Sequence, residues 1–115
     1  MNVIEEHTSP DGFLRLIVVQ DDDGDIAIGF DRYPWHTHGD ILTAISGVSE
    51  MQAIREFVDR IIGDNAVIGV ARINGEVREA WVCDNDPAES FKYKPPQKTL
   101  EFRRWSGAPV QVESV

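Results

Sequence analysis

Cysteine is nearly absent: Cys83 alone among 115 residues excludes an intramolecular disulfide, so the fold has to rest on packing and hydrogen bonds. No stretch approaches the roughly 18 consecutive apolar residues that a membrane-spanning helix requires. Met1-Asn2-Val3-Ile4-Glu5-Glu6 has neither the basic start nor the apolar centre of a signal peptide. Both absences lead to the expectation of a cytoplasmic protein without a membrane partner. Basic residues are also scarce, with 11 Lys and Arg against 20 Asp and Glu and a net charge of −9. Residues 1–58 carry 11 acids and 3 bases (net −8), and residues 59–115 carry 9 acids and 8 bases (net −1). Such a balance argues against nucleic acid, whose phosphates demand a basic face. It suits steering toward a basic protein. A glycine-rich phosphate loop and a Gly-x-Ser-x-Gly elbow are both missing, and no base is placed in sequence to activate Cys83.

What is present fits one domain over residues 1–115, with 42% hydrophobic residues to build a core. Phe13-Leu14-Arg15-Leu16-Ile17-Val18-Val19 and Ile26-Ala27-Ile28-Gly29-Phe30 read as two strands of a hairpin around Asp21-Asp22-Asp23-Gly24-Asp25. Ile26, Ile28 and Phe30 make one apolar face, while Ala27 and Gly29 leave the other open to close approach. A calcium loop is excluded at the acidic turn, because Val19 and Phe30 fall where the first and last ligands must stand.

The helix Glu50–Ile62 is announced by Ser49 as N-cap, with Gln52 completing a capping box. Met51, Ile54, Val58 and Ile61 supply an apolar stripe, and Gly63 a left-handed stop. Asn74-Gly75 joins two further strands, Ala66–Ile73 and Glu76–Cys83, in a hairpin that pairs Ile68 with Trp81 and Gly69 with Ala80. Thr99–Trp105 follows a basic connector, Lys92-Tyr93-Lys94-Pro95-Pro96-Gln97-Lys98, as the last strand. The expected fold class is α+β: an antiparallel sheet in the order β-β-α-β-β-β, with one main amphipathic helix on one face. Its exposed edge strands would permit a homodimer.

Trp35-His36-Thr37-His38-Gly39-Asp40 carries the most chemistry. In extended backbone, His36, His38 and Asp40 would project to one side and offer two imidazoles and a carboxylate to a divalent metal such as zinc. Similar stretches occur in metallo-β-lactamase-like hydrolases, in cupins and in zinc-dependent deubiquitinase-type peptidases. The first would continue into a histidine where Ile41 stands. In the second a glutamate is expected in the region of Leu42 and Thr43. The third matches His36, His38 and Ser46 but meets Ser49 at its last ligand position. In the competing reading, the histidines hydrogen-bond a strand-to-helix crossing with Trp35 packed beneath.

Three segments in order resemble a group of small uncharacterised bacterial proteins, some of them regarded as candidate immunity proteins of toxin systems. They are Ile28-Gly29-Phe30 running into Trp35-His36-Thr37-His38; the helix with Val67-Ile68-Gly69-Val70, Asn74-Gly75 and Trp81; and Phe102-Arg103-Arg104-Trp105-Ser106-Gly107. Gly39 stands where that group usually has an aromatic residue. The resemblance implies a compact α+β fold and a binding function, without a reaction or catalytic residues. The sequence thus leads to a non-enzymatic, acidic protein-binding domain, an immunity-type inhibitor of a basic toxin, with Asp21, Asp22, Asp23, Asp25 and Trp35 as the partner-binding set. The alternative is a metal-binding protein or metal-dependent hydrolase using His36, His38 and Asp40.

Overall fold

A computed structural model describes residues 2–83, 86–92 and 94–112. Tyr93 of the basic connector lies outside the described residues. Within them, seven strands and two helices form an α+β fold built on two antiparallel sheets rather than one. The first sheet holds β1 (Asn2–Thr8), β2 (Arg15–Gln20), β3 (Ile26–Phe30) and β4 (His36–His38), side by side in chain order. Helices α1 (Gly39–Ser46) and α2 (Glu50–Ile62) follow. The second sheet has β5 (Ile68–Ile73) in the middle, flanked by β6 (Glu76–Val82) and β7 (Lys98–Arg103). Among the described residues no helix is long and apolar enough to cross a membrane.

Alternation along the strands decides which face is buried. Leu16, Val18, Ile28 and Phe30 of the first sheet meet Ile54, Val58 and Ile61 of α2 and Ile68, Ala80 and Val82 of the second sheet in one core. Trp105, just past β7, is 5% exposed and closes that core. Burying each large apolar side chain contributes about 1.5–3 kcal/mol, so this cluster, which contains no ionisable side chain, carries most of the fold's stabilisation.

Several local expectations are corrected. Strand β1 was absent from the expected order because its sequence is mostly polar and its residues mostly exposed, as suits an edge strand. The short helix α1 begins directly after His38, which occupies its N-cap position in extended conformation. In α2 the Ser49 hydroxyl accepts from the Gln52 amide at 3.3 Å, but the Gln52 side chain donates to Glu56 at 3.2 Å, so the box is only half made. Met51 is 61% exposed: the buried stripe starts at Ala53 and Ile54, one turn into the helix. Gly63 has φ −86°, and the left-handed residue is Asp64 at φ 62°. The Asp64 carboxylate accepts from the Ser106 amide at 2.8 Å and is held below its ordinary range by its hydrogen bonds with Ser106.

The Asn74-Gly75 hairpin forms, with Ile73 opposite Glu76, but a bulge between Ala71 and Arg72 shifts the register by one. Ile68 therefore pairs with Val82 and Gly69 with Trp81. Ala80 turns into the core beside Ile68 and Val82. The Trp81 indole lies across Gly69, so close that an added Cβ would stand 2.3 Å from the ring.

Candidate functional site

Two cross-strand rows define the site. Ile17 of β2, Gly29 of β3 and His36 of β4 stand abreast, and so do Val19, Ala27 and His38. All six share the face of the first sheet turned away from the core, because the alternate residues Leu16, Val18, Ile28 and Phe30 are the buried ones. The middle strand offers only a methyl group and a hydrogen on this face, so aliphatic and imidazole side chains rise on either side of a trough. Neighbouring strands are about 4.8 Å apart, which sets the two walls roughly 10 Å from each other.

The result is a groove of about 340 Å³ whose ends differ in chemistry. Asp21 and Asp25, from the β2–β3 turn, stand at one end, and Tyr33, Pro34 and Trp35 line the other. Gly29 makes the second end possible: a Cβ there would meet the Trp35 carbonyl oxygen at 2.7 Å and the His36 Cβ at 3.2 Å. The segment between β3 and β4 also turns through Arg32 at φ 78°, a conformation uncommon for a residue with a side chain.

Each residue expected to act now has a place. The Asp21 carboxylate accepts from the Asp23 amide at 2.9 Å and from the Asp25 amide at 3.0 Å, so one of its oxygens is spent holding the turn. Asp25 lines the groove. Asp22 and Asp23 are exposed on the turn and are not among the lining residues. Trp35 is half-buried, with Phe30 at 5.6 Å and Phe57 at 6.5 Å between ring centroids. It is fixed by the core, and its remaining surface borders the groove.

His36 is exposed, and its Nδ1 lies 3.0 Å from the Pro34 carbonyl oxygen. A carbonyl cannot donate, so Nδ1 carries the proton and a neutral ring leaves Nε2 as an acceptor. The His38 ring meets His36 edge-on, with 5.0 Å between centroids; its side chain makes no capping bond to α1.

Asp40 does not join them. The extended backbone ends at His38, and Asp40 sits in the first turn of α1, where its Oδ1 accepts from the Ile41 amide at 2.8 Å. A carboxylate there complements the positive end of the helix dipole. Among the described residues, no three His, Cys, Asp or Glu side chains gather closely enough to hold a metal ion. This weighs against the metal-site alternative.

The floor and the aliphatic wall are the groove residues that the sequence did not mark as a site. Alternation of Ala27 and Gly29 with large residues did signal an open face on β3. Ile17 and Val19 were hidden inside a continuous apolar run, in which no period marks the outward residues. Compared with known protein families, curated proteins and solved structures, the chain matches none.

Proposed function

We propose that this chain is a non-enzymatic binding protein that uses the outer face of its first sheet to receive a basic protein partner. The observation that carries the reading is the convergence of Asp21, Asp25, Trp35, His36 and His38 on one apolar-floored groove. Apolar floor, aromatic border and a pair of carboxylates at one end are the elements of a recognition site whose affinity comes from a few desolvated contacts. The net charge of −8 over residues 1–58, which supply the whole groove, favours a cationic partner and speeds its approach. The resemblance to candidate immunity proteins suggests the form such binding takes, namely inhibition of a toxin by occlusion.

Selection of random peptides displayed on phage tests this reading. Peptides enriched on the wild-type protein should carry an excess of Lys and Arg, and Ala27→Leu, which fills the groove from the outer face, should abolish their capture. Peptides that bind Ala27→Leu equally well, or that show no cationic excess, would refute it. A toxin encoded beside this chain is the natural partner for calorimetry, with weaker binding expected for Asp25→Asn.

A further inference from the structure

Resting on that reading, we infer that the groove is a slot for a single arginine side chain of the partner, with Asp25 as the counter-ion of its guanidinium. Only β3 lies between the walls on β2 and β4, so the floor is one strand wide; the Trp35 carbonyl and the His36 Cβ close it over Gly29, which is buried, and it lies open over Ala27, where it accepts one extended side chain. Direction follows from the ends. Tyr33, Pro34 and Trp35 border the Gly29 row, and Asp25 stands one residue before Ile26, beyond the Ala27 row. A side chain that passes the aromatic border on the Ile17 side therefore lays its methylenes over Ala27, beside Val19, and brings its head group to Asp25.

The head group is specified by what surrounds it. Asp21 has one oxygen committed to the turn, which leaves Asp25 as the principal acceptor. The imidazole of His38 shares a row with Ala27 and flanks the same end. A guanidinium suits these surroundings better than an ammonium. It is more weakly hydrated, so entering an apolar slot costs it less, and its flat face stacks on a ring while its edge donates to a carboxylate. Its three-methylene stem also covers apolar floor that a shorter cation would leave wet.

The test titrates the ¹⁵N-labelled chain with acetyl-Gly-Arg-Gly-amide and with its citrulline and lysine counterparts, following amide shifts. Saturable shifts centred on Ala27, Gly29, His36 and His38 are expected for the arginine peptide. Citrulline keeps the shape but loses the charge, and should bind about tenfold more weakly or worse; lysine should fall between. Asp25→Asn should bring the arginine peptide down to the citrulline level, and Ala27→Leu should abolish the shifts while leaving the spectrum of the second sheet unchanged. Absence of saturable shifts, equal binding of arginine and citrulline, or an unaffected Asp25→Asn would each overturn the proposal. The two readings fail differently. Displayed peptides that need the groove but carry lysine alone would remove the arginine slot and leave the binding function standing, whereas peptides that ignore the groove would remove both.

Discussion

Asp11 and Arg103, 92 residues apart, join the loop between β1 and β2 to the end of β7 through two hydrogen bonds of 2.7 and 3.2 Å. The Arg103 side chain is only 12% exposed. Two further donors reach the Arg104 and Trp105 carbonyls, both at 3.0 Å. Asp11 in turn accepts from the Ser9 hydroxyl and the Phe13 amide. The Arg103 guanidinium, followed by the Ser9 hydroxyl, holds the Asp11 carboxyl well below the usual carboxylate range. This clasp fixes the segment around Trp105 against the core.

Asp11→Ala should therefore destabilise the fold by about 1–2 kcal/mol, the lower part of the range for charge-assisted hydrogen bonds, because the carboxylate is 39% exposed and partly screened. The sign of the pH dependence follows from the lowered value. The contribution is complete above the unfolded carboxyl's value near 3.9 and is lost as pH falls toward the folded one. Urea denaturation at about pH 7 and about pH 2.5 should show the gap between wild type and variant narrowing at the lower pH. A gap of constant size would assign the loss to something other than the ion pair.

Gly69→Ala tests the way the second sheet is covered. The new methyl would need the space of the Trp81 indole, at 2.3 Å, so the ring must leave its place edge-on to Phe102, 6.4 Å away between centroids. A loss of about 1–3 kcal/mol is expected from such overpacking. In the Trp81→Leu background the same substitution should cost less, because the clash is gone. Thermal melts of the four proteins decide the matter, and additive losses would count against this packing.

These examples show where the sequence could be read. Different signals identified different elements: a short run of branched residues for β2, alternation for β3, a capped apolar stripe for the Glu50–Ile62 helix, and the Asn74-Gly75 dipeptide for the second hairpin. These signals failed at β1, where the mostly polar, exposed residues of an edge strand carry no core signal. They failed again at the hairpin register, because a bulge leaves no mark in composition. The site was legible as two separate features, an acidic turn and a histidine pair. Their convergence on one groove depends on β4 pairing with β3, a contact that rests on the missing side chain of Gly29.

The helical placement of Asp40 makes a prediction about metal. Zinc titrated into protein carrying no affinity tag should show no tight, stoichiometric site, because the two imidazoles lack a third ligand among the described residues. Asp40→Ala should weaken the start of α1 by about 0.3–1 kcal/mol through the helix dipole, visible as earlier fraying in hydrogen exchange. Submicromolar zinc binding that disappears in the His36→Ala/His38→Ala variant would restore the metal reading.

The two carboxylates at the acidic end of the groove should separate by their roles. Asp21 shapes the turn: it accepts the amides of Asp23 and Asp25, and its own backbone closes the turn through bonds of 2.9 Å to the Asp25 carbonyl and 3.1 Å from the Gly24 amide. Removing its side chain leaves two amides to find water, so Asp21→Ala should cost about 1 kcal/mol of stability. Asp25 lines the groove and gives only its amide to the turn, so Asp25→Asn should leave the melting temperature almost unchanged. Binding should reverse the order. A cationic displayed peptide loses its counter-ion in Asp25→Asn but keeps it, slightly misplaced, in Asp21→Ala. Asp23→Asn, exposed and outside the groove, should change neither property. Melting curves and peptide titrations on the three variants therefore distinguish a local site from diffuse acidity. If all three weakened binding equally, net charge rather than the groove would be attracting the partner.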